Sequence, residues 1–398
     1  MKQYREIMLR PKKDESLKRF HPWVFSGAIT RIPDDLEEGE VVRVLSSEGD
    51  FLGVGHYQIG SITVRILSFR DEPITFEFYR DRIAGACNLR RRLNLIRSDN
   101  DTYRLVHGEG DQLPGLIIDI YGDTAVVQAH SVGMHKDLNL IVEALKHVYA
   151  ADASLNHIFY KSEGTLPYKA GLAPEDTYLA GGENVSGIAM ENGLKFHIDW
   201  LKGQKTGFFV DQRENRLLLE QFSADRRVLN MFCYTGGFSV YALRGGAVRV
   251  DSVDSSSKAV TLTSRNVALN FGDDLRHSAF AEDAFKFLKE IPRDQYDLVV
   301  LDPPAFAKHR GAVNNALQGY KKLNLSALEK IAPGGILFTF SCSQVITKEQ
   351  FRLAVFSAAA ISGRNVRILH QLTQPADHPI NIYHPEGEYL KGLVLQVE

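Results

Sequence analysis

Between Val228 and Phe306 the chain repeats one pattern: a short apolar run, a glycine or an acid at its end, then a longer amphipathic stretch. Leu229-Asn230-Met231-Phe232-Cys233-Tyr234-Thr235-Gly236-Gly237-Phe238-Ser239 reads as a buried strand that turns through glycines into a helix. A second strand, Val248 to Val253, ends in Asp254, and a third precedes Asp283. A fourth, Tyr296 to Leu301, runs into Asp302-Pro303-Pro304, and a fifth, Gly335 to Phe340, delivers Ser341-Cys342-Ser343. Strands alternating with helices imply parallel βαβ units, and a glycine turn followed by an acid at the next strand end is the logic of a doubly wound nucleotide fold.

At 398 residues the chain is too long for one ordinary domain. Residues 1–75 read as a small β domain, with strands such as Val41 to Leu45, Phe51 to Gly55 and Ile62 to Leu67 separated by Gly49-Asp50 and Gly60-Ser61 turns. Residues 76–190 mix helix (about 76–98 and 136–148) with strands Gly115 to Tyr121 and Thr124 to Ala129. Residues 191–398 form the α/β domain. The formal net charge of −2 gives no global electrostatic case for a polyanionic partner. The charge is unevenly placed: residues 1–31 hold eight Lys or Arg against three acids, and a second cluster spans Arg80, Arg82, Arg90, Arg91, Arg92 and Arg97. Three cysteines without metal-like spacing, no signal peptide and no membrane-length apolar run lead to an expected reduced, soluble, cytoplasmic protein with no metal and no membrane partner.

The Gly236-Gly237 loop would let a ligand approach the backbone at a helix N-terminus. It lacks the three-glycine pyrophosphate pattern, which disfavours a dinucleotide. S-adenosylmethionine has no pyrophosphate and offers a carboxylate and a ribose diol instead. Asp254 could accept both ribose hydroxyls or be a simple strand-end acid, while Asp283 could hold the adenine edge or cap a helix. The prolines after Asp302 stop a buried strand and point its carboxylate into the cleft beyond the strand ends. Cys342 ends a strand at that same edge. Methylating C5 of a pyrimidine requires a thiolate to add at C6, with a nearby acid to protonate or hydrogen-bond N3. Cys342 and Asp302 supply that pair; Cys233 and Cys87 read as packing residues.

Several long motifs occur in order: His21-Pro22-Trp23-Val24-Phe25-Ser26-Gly27, Gly108 to Leu116, Lys205 to Arg213, Leu301 to Phe306, Ser341-Cys342-Ser343, Asp377-His378-Pro379 and Pro385 to Gly392. On these the chain resembles, over essentially its whole length, the bacterial 23S ribosomal RNA cytosine-C5 methyltransferases that carry an N-terminal PUA domain. The resemblance implies a β-barrel-like PUA domain, a small α+β middle domain and a C-terminal Rossmann-like class I methyltransferase domain. It also implies S-adenosylmethionine as cofactor and Cys342 as nucleophile. The expected cofactor set is Gln212, Arg213, Phe232, Tyr234, Thr235, Gly236, Gly237, Asp254, Asp283, Asp302 and Pro303. One departure stands out. Related RNA cytosine-C5 enzymes commonly carry a second cysteine just after the Asp-x-Pro segment, and Ala305 occupies that place here. The base that removes the C5 proton is therefore unassigned.

The expected activity is cytosine-C5 methylation of RNA, with large-subunit ribosomal RNA as partner. The alternatives are methylation of uracil C5 or a guanine nitrogen, or a non-catalytic ribosome-assembly factor. A base stacked in a helix cannot present C6 to a thiolate, so it must be extruded or single-stranded, and phosphate contacts elsewhere would offset that cost. Lys12, Lys13, Lys18 and Arg19 with Arg90, Arg91 and Arg92 are the expected RNA contacts. The oligomeric state is left open by the sequence.

Overall fold

A computed structural model describes residues 4–151, 154–167 and 170–398; Lys2 of the basic segment lies outside them. The chain divides into two compact units, Met1–Asn192 with Ile198–Val210 and Ala376–Gly387, and Gly193–His197 with Asp211–Pro375 and Glu388–Glu398.

The first unit holds two sheets. β1 (Arg5–Leu9), β2 (Trp23–Phe25), β3 (Ile29–Arg31), β4 (Val41–Leu45), β5 (Phe51–Tyr57) and β6 (Ile62–Ser68) form a six-stranded sheet in the order β2-β6-β5-β4-β1-β3. Period-two alternation sets its inner face: Ile7 and Leu9 are fully buried while Glu6 and Met8, which alternate with them, are exposed. β7 (Thr102–His107), β8 (Leu116–Tyr121), β9 (Thr124–Ala129), β10 (His157–Tyr160) and β11 (Thr177–Ala180) form the second sheet, with α1 (Phe76–Arg92) and α2 (Leu138–Tyr149) joining its core. Val54 and Leu67 of the first sheet belong to the same apolar cluster as Tyr79, Ile83 and Leu105. His56 Nε2 and the Tyr79 hydroxyl meet Asp137 Oδ2 at 3.0 and 2.6 Å. Residues 1–75 and 76–192 thus share one unit, because their apolar faces close on one another.

α1 ends at Arg92, before the expected residue 98. Asn94 takes a left-handed φ of 54°, and its N–H and that of Leu95 donate to the carbonyls of Arg91 and Arg90, a Schellman stop. Arg90 lies on the inward stripe Ile83-Ala86-Cys87-Arg90, spaced at three and four residues. It is fully buried, and its guanidinium donates to Asp111 Oδ2 at 2.8 Å and to the carbonyls of Arg104 and Asp377 at 2.8 and 2.7 Å. The expected RNA role of Arg90 is therefore corrected: it is a buried ion-pair residue. Arg91 and Arg92 are exposed in the last turn, where cations complement the helix dipole.

The second unit is built on β12 (Arg227–Met231), β13 (Arg249–Asp254), β14 (His277–Ala281), β15 (Leu298–Leu301), β16 (Gly335–Ser341), β17 (Val366–Leu372) and β18 (Lys391–Val397), in the order β14-β13-β12-β15-β16-β18-β17. The first five are parallel and the last two pair antiparallel. Strands β15 and β16 are buried at every position, as helices on both faces require. The helices include α3 (Arg213–Gln221), α4 (Gly237–Arg244), α5 (Ser257–Phe271), α6 (Ala284–Glu290) and α7 (Val313–Lys330). Strand order reverses between β12 and β15, which puts the binding crevice beyond their C-terminal ends.

Candidate active site

The turn from β12 into α4 uses left-handed backbone at three alternate residues, Phe232 (φ 58°), Tyr234 (φ 48°) and Gly236 (φ 79°). Only Gly236 does so without strain, and a Cβ there would also stand 2.5 Å from Thr263 Cγ2. A Cβ on Gly237 would press on Arg216 Cδ at 2.9 Å. Side chains of α5 hold the turn from outside: Thr263 Oγ1 donates to the Tyr234 carbonyl at 2.9 Å and Asn266 Nδ2 to the Thr235 carbonyl at 2.8 Å. Asp254 joins them, with Oδ2 accepting from the Tyr234 N–H at 3.0 Å and Oδ1 from the Ser256 N–H at 2.9 Å. It is thus part of the scaffold of the loop, and each oxygen keeps a lone pair for a further donor. Asp283 is exposed and its side chain accepts from the Lys286 N–H at 2.9 Å. Of its two expected roles, the structure displays the helix cap.

α3 buries charge. Arg213, Asn215 and Arg216 are almost fully buried, an inversion of the usual amphipathic face. Gln212 precedes them; its Oε1 accepts from Asn215 Nδ2 at 2.6 Å, and its amide hydrogen-bonds Asp302. Arg216 was not among the expected site residues. It sits one turn past Arg213, so the sequence signal was the spacing of the two arginines in an otherwise leucine-rich helix.

At the ends of β15 and β16 the side chains are titratable and close. Burial and then the neighbouring Asp211 charge push the Asp302 carboxyl up to about 7, against the pull of the Gln212 hydrogen bond and of Arg216. The Cys342 thiol reaches the Pro303 carbonyl at 3.9 Å, and burial, Asp302 and Asp211 raise it to about 12. The loops are tied together: Ser341 and Ser343 each meet the Tyr320 hydroxyl at 3.0 Å, and Ser343 Oγ accepts from the Ala307 N–H at 3.3 Å. Lys391, opposite Ser341 across the sheet, is nearly buried and donates to the carbonyls of Ser343 and Ile346 at 2.6 and 2.8 Å. Burial lowers its ammonium to about 8 although Cys342 and Glu388 favour the charge. Cys233, by contrast, is sealed inside the first loop at 3.6 Å from Thr263 Oγ1, and Cys87 lies in the core of the first unit.

The basic N-terminal residues lie in the first unit and are exposed: Lys12, Lys13, Lys18 and Arg19. Two of them are partly compensated, Lys18 by Asp14 at 2.6 Å and Arg19 by Glu15.

The donor set of the crevice suits S-adenosylmethionine. The start of α4 beside the Arg216 guanidinium suits a carboxylate, and the Asp254 oxygens suit a ribose diol. Comparison with known proteins agrees. Residues 103–382 match the family described as S-adenosylmethionine-dependent methyltransferase, and residues 7–69 match a PUA-like domain. Relatives named ribosomal RNA large subunit methyltransferase I include those of Tolumonas auensis, 40% identical over 98% of both chains, and Alteromonas mediterranea, 39% identical over 98% of both. The fold matches that of an S-adenosylmethionine-dependent methyltransferase from Streptococcus mutans, at a TM-score of 0.83 and 23% identity over 99% of this chain and 100% of that one. It also matches a methyltransferase solved with S-adenosylhomocysteine, at a TM-score of 0.84 and 24% identity over 99% and 100%. With its PUA-like N-terminal domain and its crevice at the strand reversal, the chain belongs to the S-adenosylmethionine-dependent methyltransferase family that includes ribosomal RNA large subunit methyltransferase I.

Proposed function

We propose that the chain methylates C5 of a cytosine in large-subunit ribosomal RNA through a transient bond between Cys342 Sγ and C6 of the base. The observation that carries this reading is the pairing of Cys342 with Asp302 at adjacent strand ends, the thiol resting on the Pro303 carbonyl at 3.9 Å. The names of the relatives support large-subunit ribosomal RNA as the substrate class.

When bound, S-adenosylmethionine supplies a methyl group made electrophilic by its sulfonium charge. Gln212, Arg213, Arg216, the loop from Phe232 to Gly237, Asp254 and Pro303 are the residues that would hold it. Asp283, capping α6, is left as a candidate at the adenine edge.

The rest of the chemistry falls to side chains. C5 of cytosine becomes nucleophilic only once a nucleophile occupies C6. With its thiol at about 12, Cys342 is uncharged at neutral pH, so its proton must leave as the C6–S bond forms. Asp302, balanced near 7, can give its carboxyl proton to N3 and take the thiol proton in its place. The electron pair then resides in the C4–C5 enamine, which makes C5 the nucleophile. Lys391 fixes the turn after Cys342 through two carbonyls, and its charge favours the thiolate as it appears.

The test is covalent capture. Wild-type protein with S-adenosylmethionine should form a denaturation-resistant complex on ribosomal RNA containing 5-fluorocytosine, and Cys342→Ala should not. Capture on 5-fluorouracil RNA alone would move the target to uracil. Capture on neither would sink the C5 reading.

A further inference from the structure

We infer that Asp211 is the base that removes the C5 proton and so releases the methylated RNA from Cys342; this rests on the cytosine-C5 reading above. The position after Asp302-Pro303-Pro304, where related enzymes place a second cysteine, is Ala305 and carries no proton acceptor. Yet after methyl transfer C5 bears both a methyl group and a hydrogen, and the C6–S bond cannot break until that hydrogen leaves.

Four titratable side chains of this unit influence the Cys342 thiol or are influenced by it: Asp302, Asp211, Lys391 and Tyr320. Three are committed. Asp302 carries the N3 proton in the proposed reaction. Lys391 spends its ammonium on the Ser343 and Ile346 carbonyls. The Tyr320 hydroxyl is held between Ser341 and Ser343. Asp211 differs. Its Oδ2 accepts from the Tyr389 hydroxyl at 2.6 Å, while Oδ1 is buried with no hydrogen-bond partner among the described residues. A buried carboxylate oxygen without a donor costs stability. Its partner Tyr389 lies two residues before Lys391, which pairs with Ser341 and holds the turn after Cys342, so the carboxylate is tied to the end of β18 beside that turn, and its charge bears on both Asp302 and Cys342.

The step balances. Asp211 Oδ1 takes the C5 proton, the C5–H pair becomes the C5=C6 double bond, and the C6–S bond breaks with its pair left on sulfur. The sulfur takes up the N3 proton, restoring thiol and cytosine, and Asp211 passes its proton to solvent as the one proton the net reaction releases.

Asp211→Asn should therefore stall after methyl transfer. On ordinary ribosomal RNA from a strain lacking the enzyme, with S-adenosylmethionine but no fluorinated base, this variant should accumulate a covalent protein–RNA complex containing the methyl group. Cofactor affinity by calorimetry should stay within about threefold of wild type. Full turnover without a complex, or loss of methylation without a complex, would overturn the assignment. Asp211→Glu keeps the carboxylate but displaces it, and single-turnover methylation of [5-²H]cytosine RNA should then show a primary isotope effect on RNA release; its absence would also overturn the assignment. Wild-type capture on 5-fluorocytosine RNA serves as the reference: if that fails, the C5 reading itself has failed.

Discussion

Two turns at the same edge of one sheet are built in opposite ways. The loop after β12 is saturated: its carbonyls are held by Thr263 and Asn266, its Tyr234 N–H by Asp254, and its cysteine is sealed against Thr263. The loops after β15 and β16 instead carry Asp302 and Cys342, with Asp211 and Lys391 bearing on the thiol from elsewhere in the unit, and Asp211 Oδ1 has no hydrogen-bond partner among the described residues. Both cysteines are raised to about 12, but burial leads in each case and only Cys342 stands beside a carboxyl balanced near 7. A shape that must receive a cofactor is made by backbone geometry, and a reaction needs groups left poised.

The sharpest way to break this comparison is to exchange the two cysteines for alanine. Cys342→Ala should lower methyl transfer to well under a tenth of wild type, a loss above about 1.4 kcal/mol, with cofactor affinity nearly unchanged. Cys233→Ala should keep the rate and lower thermal stability by about 1 kcal/mol through the small cavity it leaves. A slow Cys233→Ala or an active Cys342→Ala would reverse the roles of the two turns.

The pH dependence of stability reads the poised carboxyl. The folded-state value of Asp302, about 7, lies above its ordinary 3.8, so folding takes up a proton between them. Its contribution is most favourable below about 3.8 and is lost as pH rises through 7. Asp302→Asn removes this dependence. The melting temperature of that variant relative to wild type should climb between pH 4 and 7 and then level off. At about 1.4 kcal/mol per unit the ceiling is about 4 kcal/mol before solvent screening. A flat difference would show that the carboxyl is not poised.

On the saturated side, Asp254→Ala should weaken S-adenosylmethionine binding ten- to hundredfold, about 1.5–3 kcal/mol. Because Asp254 also holds the Tyr234 and Ser256 N–H groups, hydrogen exchange at those amides should accelerate in the cofactor-free protein. Lost affinity with unchanged exchange would assign Asp254 to ligand contact alone.

The smallest effect concerns the expected RNA contacts of the basic N-terminal segment. Neutralising Lys12, Lys13, Lys18 and Arg19 together should flatten the salt dependence of RNA affinity by no more than about 3 units of slope, and leave cofactor affinity alone. Asp14 and Glu15 already compensate two of the four, so the change should sit at the low end. An unchanged slope would leave Arg91 and Arg92 as the expected basic contacts.

The sequence by itself determined the order of strands and helices in the second unit, because apolar runs, prolines and glycines are local signals. The placing of Asp302, Cys342 and the Gly236 turn at strand ends follows from the same signals. It determined that Cys342 and not Cys233 ends a strand among polar neighbours. What only tertiary structure decided is who meets whom. Arg90 reads as one of three adjacent arginines, and the helical stripe through Ile83 and Cys87 turns it inward onto Asp111 while Arg91 and Arg92 stay outside. Asp211 lies within the legible Lys205–Arg213 segment, but its partner Tyr389 is far along the chain, and nothing local announces their 2.6 Å contact. Lys391 likewise reaches the turn after Cys342 only because β18 pairs antiparallel with β16. Local sequence fixes backbone conformation, whereas electrostatic environment is a sum over neighbours that the chain brings together only when it folds.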